Sequence, residues 1–483
     1  MSNANLVYAG LFSVGAFCAL GLQTAPAQAN IELLKTDDTT VFVNGRMQAF
    51  LNYNNGDGSP QAVVAATPGY VAPAAMPGMA DPGITVALNP GSADDTYEER
   101  AEGAASTDQG KIEELRIRTG FVGNVLGFGF RHRIDDTNEV LGYTAATTYI
   151  DSASRRKYTS VTPDWRESFL KVQGDWGSVV AGRTLVLFNR GATEITYLYG
   201  YKYGLGWPGN VGSYGGNGPG AGHVGFGVLG NGFGAGLAYA TPDLSGAQLT
   251  VGLYDANNQV GASTTDRVRW PRLEAEATYE SKLGDAGMFK LFANAAHQKV
   301  YAKDGDTDNT IKGLGFGGRA EFGPVGVGLA GHTGQGIGVN FALEPSTALT
   351  LGNKYRDVDG GAVHVRVAPS DKFDFMTAWG ITRVHQLPGD TVDTYHDGDN
   401  NPATPPENDD AVPGLPDAVR HVTIKDQAGV SFGGTYHVSP HLHITAEYFK
   451  AMYTWHKPTP APVGAKEAEQ NFDVVNLGVT YDF

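Results

Sequence analysis

The chain has 483 residues, one cysteine (Cys18) and a formal net charge of −16 at pH 7. A balance that acidic speaks against nucleic acid as a partner, and a lone thiol excludes a disulfide framework. Glycine fills 66 positions, about twice the usual ~7%, which is wrong for a helical membrane protein.

Residues 1–29 read as an export signal. Leu6 to Leu22 is uncharged and apolar, and Ala27-Gln28-Ala29 supplies a small-x-small cleavage site. No Lys or Arg precedes the apolar stretch, a departure from the usual pattern, and every charged side chain lies in residues 30–483. Ser59 to Ala80 is also uncharged, but Pro60, Pro68, Pro73 and Pro77 would each break a helix there.

From residue 41 onward the chain reads as strand, tight turn, strand, long loop. Val41 to Tyr53 is a first strand, followed by a Pro/Ala-rich and then acidic loop over 54–110. Lys111–Phe121 and Gly127–Asp135 form a hairpin about Gly123-Asn124, and Asp164–Gly174 and Ser178–Leu185 another about Asp175-Trp176-Gly177. Further pairs are Phe233–Thr241 with Ala247–Asp255, Arg269–Lys282 with Met288–Tyr301, and Ile311–Phe322 with Val325–Gly334. Val358–Val367 then pairs with Lys372–His385, Lys425–His437 with His441–Trp455, and Asn471–Phe483 closes the series. In that last strand Val475, Leu477, Val479, Tyr481 and Phe483 share one face, and Asn476, Gly478, Thr480 and Asp482 the other.

About sixteen strands of roughly ten residues, with all long loops on one side, predict an all-β fold. The expectation is a transmembrane antiparallel β-barrel with short periplasmic turns and long external loops. Closure disposes of every backbone donor and acceptor that hydrocarbon cannot satisfy.

Four segments in order resemble the Gram-negative general porins. They are Arg118-Thr-Gly-Phe-Val-Gly123, the run Arg166 to Arg183 (RESFLKVQGDWGSVVAGR), Ala238 to Tyr254, and Leu477 to Phe483. The resemblance implies a sixteen-stranded homotrimer in the outer membrane, surrounded by lipid and lipopolysaccharide. It implies a loop, residues 186–222, folded inward to constrict the pore, and passive passage of small hydrophilic solutes and ions. It also implies that Phe483, with Tyr481, is the signal read by the barrel-assembly machinery. Two departures stand out: the loop 54–110 is unusually long, and 186–222 lacks the family's Pro-Glu-Phe-Gly segment.

The work of such a pore is electrostatic and steric. Arg116 and Arg118 alternate with Leu115, Ile117 and Thr119, and Arg131 with Phe128, Phe130 and His132. Facing lipid at mid-membrane, an arginine would cost roughly 2–4 kcal/mol. The expected constriction is therefore a basic wall of Arg116, Arg118, Arg131, Arg166 and Arg183, joined from the loop by Arg190 and opposed by Glu194. The other reading of the wall arginines places them at a rim or pairs them with Glu114 and Asp135. Glu167 is expected outward with Trp165, Phe169 and Lys171, against a neighbouring subunit. Tyr197, Tyr199, Tyr201, Tyr203 and Trp207 could stack sugar rings or simply pack the loop.

No metal site, cofactor or catalytic constellation is expected. Asp304-Gly-Asp306-Thr-Asp308-Asn309 begins like a calcium loop but has Asn309 at position six and Gly315 at position twelve. His437, His441 and His443 flank a tight turn with nothing else converging. The rivals to a diffusion channel are a sugar- or anion-selective pore, and a barrel whose acidic loops bind surfaces.

Overall fold

In the computed structural model, the described residues are 30–57, 111–120, 123–148, 150, 163–195, 223–256, 265–267, 269–302, 308–339, 343, 355–387, 394–395, 419–420, 424–455 and 468–483. In chain order the elements are β1 (Ile31–Lys35), β2 (Thr39–Asp57), β3 (Lys111–Arg118), β4 (Asn124–Arg133), β5 (Glu139–Thr148), β6 (Asp164–Gly174) and β7 (Gly177–Leu185). After a short helix α1 (Arg190–Ile195) come β8 (Phe233–Ala240), β9 (Ala247–Tyr254), β10 (Thr265–Arg267), β11 (Arg272–Lys282), β12 (Met288–Ala302), β13 (Asp308–Phe322) and β14 (Val325–Gln335). The chain finishes with β15 (Asp357–Ser370), β16 (Phe373–His385), the two-residue strands β17 (Thr394–Tyr395) and β18 (Val419–Arg420), β19 (Ile424–His437), β20 (Leu442–Trp455) and β21 (Ala468–Asp482).

Every pairing between strands is antiparallel, and the sheet closes where β2 pairs with β21 from Arg46↔Asp482 to Gly56↔Phe472. The last residue completes that seam. Phe483 N–H donates to Gly45 O at 3.0 Å, and Gly45 N–H donates to Phe483 O at 2.7 Å. β3 and β4 both pair with β2, from Phe50 to Asp57 and from Thr39 to Arg46, so they are halves of one stave that breaks between Arg118 and Asn124. With β1 and β10 as short additions beside β2 and β12, the result is a closed sixteen-stranded barrel.

The alternation follows physical expectation. Val475, Leu477, Val479 and Tyr481 are exposed outward, while Asn476, Thr480 and Asp482 are buried inward. Leu314, Phe316, Leu329, Phe375, Trp379 and Phe432 continue the outward apolar belt around the barrel. That is the face a bilayer requires.

Two expectations are corrected. Lys111–Phe121 and Gly127–Asp135 are not a hairpin, because both run antiparallel to β2 and the tight turn instead lies at 134–138. The partner of β4 is β5, where no strand was expected. On β5 the apolar residues point inward: Leu141 and Tyr143 pack with Phe42 and Phe169, leaving Gly142, Thr144 and Ala146 for the outward face. Strand β6 follows suit through Leu141↔Lys171, Tyr143↔Phe169 and Ala145↔Glu167. Glu167 is therefore inward and buried, not outward against a neighbour.

Candidate pore constriction

The chain leaves β7 at Leu185 and turns into the barrel. Leu187 N–H and Phe188 N–H both donate to Glu274 Oε2, at 2.7 and 2.8 Å, and Arg272 Nε donates to Glu274 Oε1 at 2.6 Å. Arg272 also lies 5.6 Å from the Tyr254 ring centroid. Arg272 and Glu274 are fully buried, and a buried ion pair offsets its desolvation only where further hydrogen bonds complete it, as the two backbone donors do here. Next along the same face of β11, Glu276 accepts from Arg190 Nε at 2.9 Å at the start of α1.

The two ends of the inward segment are strapped together. Asn189 adopts φ 64° and donates from Nδ2 to Leu229 O at 2.9 Å. Thr193 Oγ1 donates to Asn231 Oδ1 at 3.0 Å, and Asn231 Nδ2 to Val186 O at 3.2 Å.

Between those straps the segment reaches the opposite wall. His223 Nε2 and Ser431 Oγ of β19 are 2.8 Å apart, and Gly227 N–H donates to Thr382 Oγ1 of β16 at 3.0 Å. Phe226 meets Phe449 and Tyr453 of β20 edge to face, with centroids 5.0 and 5.5 Å apart. The wall here has no room for side chains: a Cβ on Gly380 would stand 2.0 Å from Phe226 O. Gly227, at φ +93°, would put a Cβ 2.1 Å from Gly361 O. The described parts of 186–232 thus line the inner wall from β11, through β12 to β14 under α1, to β15, β16, β19 and β20.

The charges near this segment form one neighbourhood. Lys171 on the inner face of β6 lies within Coulombic reach of Arg131, Arg190 and Glu139. Arg131 is 5.6 Å from the Phe42 ring centroid. It also lines a mixed-charge cavity of about 370 Å³ with Lys35, Asp37, Asp38, Arg133 and Glu139.

The predicted residues scatter around this neighbourhood. Arg131 and Arg190 belong to it. Arg116 and Arg118 stand level with Asn52 and Phe50 of β2, and their side chains lie outside the described residues, as does that of Glu194. Arg166 and Arg183 are corrected. Ser168 pairs with Arg183 on the outward face, where Arg183 is exposed beside Ala235 and makes no ion pair among the described residues. Arg166 alternates with Ser168 and Leu170 beside a bulge, and its Nε donates to Asp164 Oδ2 at 2.5 Å. The cause is the inward apolar cluster on β5 and β6, which reverses the apolar-outward rule for these strands. The tyrosine run 197–203 and Trp207 lie outside the described residues, as do 303–307. Asp308 and Asn309 begin β13.

Sequence reasoning placed Lys171 outward beside Glu167 and Phe169, which the structure reverses, and it missed Glu274 and Glu276. The signal for the two glutamates is legible in retrospect: Arg272-Leu-Glu-Ala-Glu-Ala alternates charge with apolar residues, which puts both carboxylates on the wall facing away from lipid. Among the described residues no group of three or more His, Cys, Asp or Glu could hold a metal ion.

No protein-family model matches this sequence, and no curated protein matches it. Solved structures do resemble the fold. The outer membrane channel DcaP of Acinetobacter baumannii superposes with a TM-score of 0.58 at 13% identity, covering 94% of this chain and 100% of that one. An anion-selective porin from Comamonas acidovorans gives 0.53 at 10% identity, covering 92% and 100%. Closed through β2 and β21 and belted by outward apolar residues, the chain has the fold of the Gram-negative outer-membrane porins.

Proposed function

We propose that the chain forms a water-filled channel for passive diffusion of small hydrophilic solutes and ions across the outer membrane. The observation that carries this reading is the inward segment, anchored to β11 at one end and to β16 and β19 across the barrel. A segment that lines the inside of the wall from β11 to β20 takes up lumen space without disturbing the barrel's backbone pairing. Nothing in the reading requires catalysis, and no enzymatic role is assigned.

Among the described residues, Arg131 and Lys171 share the inner wall with one acid in reach, Glu139, and that balance favours a weak anion preference. Arg190 and Arg272 add little to that balance, because each is paired with a glutamate of β11, Glu276 and Glu274. An ion in the narrow zone passes well within the ~8–10 Å Debye length of these groups, so salt screens them little.

A homotrimer is part of the proposal, on different grounds from Glu167. The outward face of β5 to β7 carries Gly142, Thr144, Ser168, Ala181 and Arg183 around one large exposed apolar residue, Leu170, so it is richer in small and polar residues than the belt around Leu314, Phe316, Phe375 and Trp379. A protein neighbour suits that patch better than lipid tails do.

Planar-bilayer recording of purified protein tests the reading. Linear, unsaturable conductance is expected. Block by a particular solute would favour the selective-pore alternative, and a folded barrel that does not conduct would overturn the proposal.

A further inference from the structure

A second segment also enters the barrel. Beyond β14 the chain turns inward at Gly336 (φ +67°), whose N–H donates to Arg356 O at 3.4 Å, and Leu343 N–H donates to Ile337 O at 2.7 Å. Ile337, Val339, Leu343 and Tyr355 are buried, and they form one apolar cluster with Phe188 and Leu229 of the first inward segment. The cluster continues into the barrel wall, where a Cβ on Gly313 of β13 would stand 2.5 Å from both Ile337 Cγ2 and Phe188 Cζ. One wall residue ties the two segments together: Gln427 Nε2 donates to Val339 O at 3.3 Å and also to Gly225 O.

This arrangement is unlike what a water-filled lumen asks of its wall. An inner wall in contact with water is normally polar. Here apolar side chains from two separate loops bury one another inside the barrel, which drives them together without regard to direction. The backbone bonds and Gln427 then set their relative position.

We propose that the segment around Ile337, Val339, Leu343 and Tyr355 is a wedge that holds the first inward segment in place and thereby sets the largest solute the pore admits. The inference rests on the channel reading given above. It makes the constriction a fixed ring of two segments, sized by apolar packing, while its charge comes from the separate cluster around Lys171. Solutes are then sorted by bulk independently of sign. Loosening the wedge widens the opening and leaves the selectivity between small ions where it was.

Leu343→Ala and Leu343→Asp in the full-length barrel test this, with Leu314→Ala as a control. Leu314 is the same residue type on β13 facing outward. Folding of each variant is first verified by its heat-dependent electrophoretic mobility. Swelling of protein-loaded liposomes in a series of saccharides gives the size limit, bilayer recording gives open-channel noise, and hydrogen exchange follows the Gly227 amide. The expected result for both Leu343 variants is entry of larger saccharides, more noise and faster exchange at Gly227, greater for Asp than for Ala. The control should match the parent. A conducting parent whose size limit and noise are unchanged in the folded Leu343 variants would overturn the wedge while leaving the channel. So would an equal effect from Leu314→Ala. A parent that does not conduct would overturn the channel reading and the wedge with it.

Discussion

At the residue scale, Glu274 shows how one carboxylate directs a loop. It gathers two backbone N–H groups and one guanidinium, all buried. Glu274→Gln keeps the shape but leaves Arg272 without its counter-charge, and breaking a buried pair costs about 3–5 kcal/mol. Urea unfolding of the refolded barrel should show that loss, and open-channel noise should rise as the entry of the inward segment loosens. Lys171 has a different task. Lys171→Gln should move the reversal potential in a salt gradient toward cations, whereas Arg166→Ala, which removes an outward side chain paired with Asp164, should leave it unchanged. Equal shifts from both would mean that the faces of β6 are reversed. Asp135, in the turn after β4, reports on pH. Hydrogen bonds from the Asn138 side chain and then the Thr137 N–H hold its carboxyl at about 2, below the usual 3.8. A carboxyl depressed in the fold stabilises above its unfolded pKa, and that contribution disappears as pH falls through the folded value. The stability difference between the parent and Asp135→Ala should therefore be full at pH 5 and fade between pH 4 and 2.

At the element scale, β21 does two jobs that a pair of variants separates. Its outward apolar row meets lipid, and its last residue closes the barrel through two backbone bonds to Gly45. Deleting Phe483 removes both the aromatic ring and those bonds. Phe483→Ala removes the ring alone. If the ring is the assembly signal, both variants should leave precursor in the periplasm and lower the folded barrel in the outer membrane. If only closure matters, Phe483→Ala should insert normally, and that outcome would remove the signal role. Quantitative blotting of membrane fractions distinguishes the two. The short strand β5 makes a related point, since its small outward residues Gly142, Thr144 and Ala146 give lipid little to hold. Subunit contact along β5 to β7 predicts a heat-sensitive trimer on electrophoresis, and Arg183→Glu should shift it toward monomer. A parent that is monomeric and conducting at every concentration would count against that surface.

At the scale of the whole molecule, charge is divided by position. The net charge is −16, while on the inner wall Arg131 and Lys171 lie together with Glu139 as the acid in reach. On the channel reading, acids outside the lumen enrich cations near the pore and salt screens that effect, whereas charges on the inner wall act at short range and persist. The measured preference should therefore shift toward anions as salt concentration rises. A reversal potential that moves toward cations with salt would place the controlling charges elsewhere.

Some of this was decided by the chain alone and some only by its folding. The lipid face of β21 and β2 and an all-β barrel of about sixteen strands are local patterns, because lipid outside and water inside impose a period of two on each strand by itself. The count read from sequence nevertheless takes β3 and β4 as two strands and misses β5. The faces of β5 and β6 were not legible, since Leu141, Tyr143 and Phe169 are apolar yet point inward, and only their packing on Phe42 from a distant strand says so. The split of one stave into β3 and β4 likewise appears only when both are seen against β2. Arg131 and Arg190 were readable as charges on the inner side of the wall, but their neighbours Lys171 and Glu276 come from strands far apart in sequence. The second inward segment depends most on tertiary structure. Ile337, Val339 and Leu343 look like ordinary loop residues until burial against Phe188 and Leu229, more than a hundred positions earlier, gives them a place. Strand identity follows from what each residue meets above and below the sheet. What lies within the barrel depends on which loops reach each other, and that is settled by contacts no local pattern encodes.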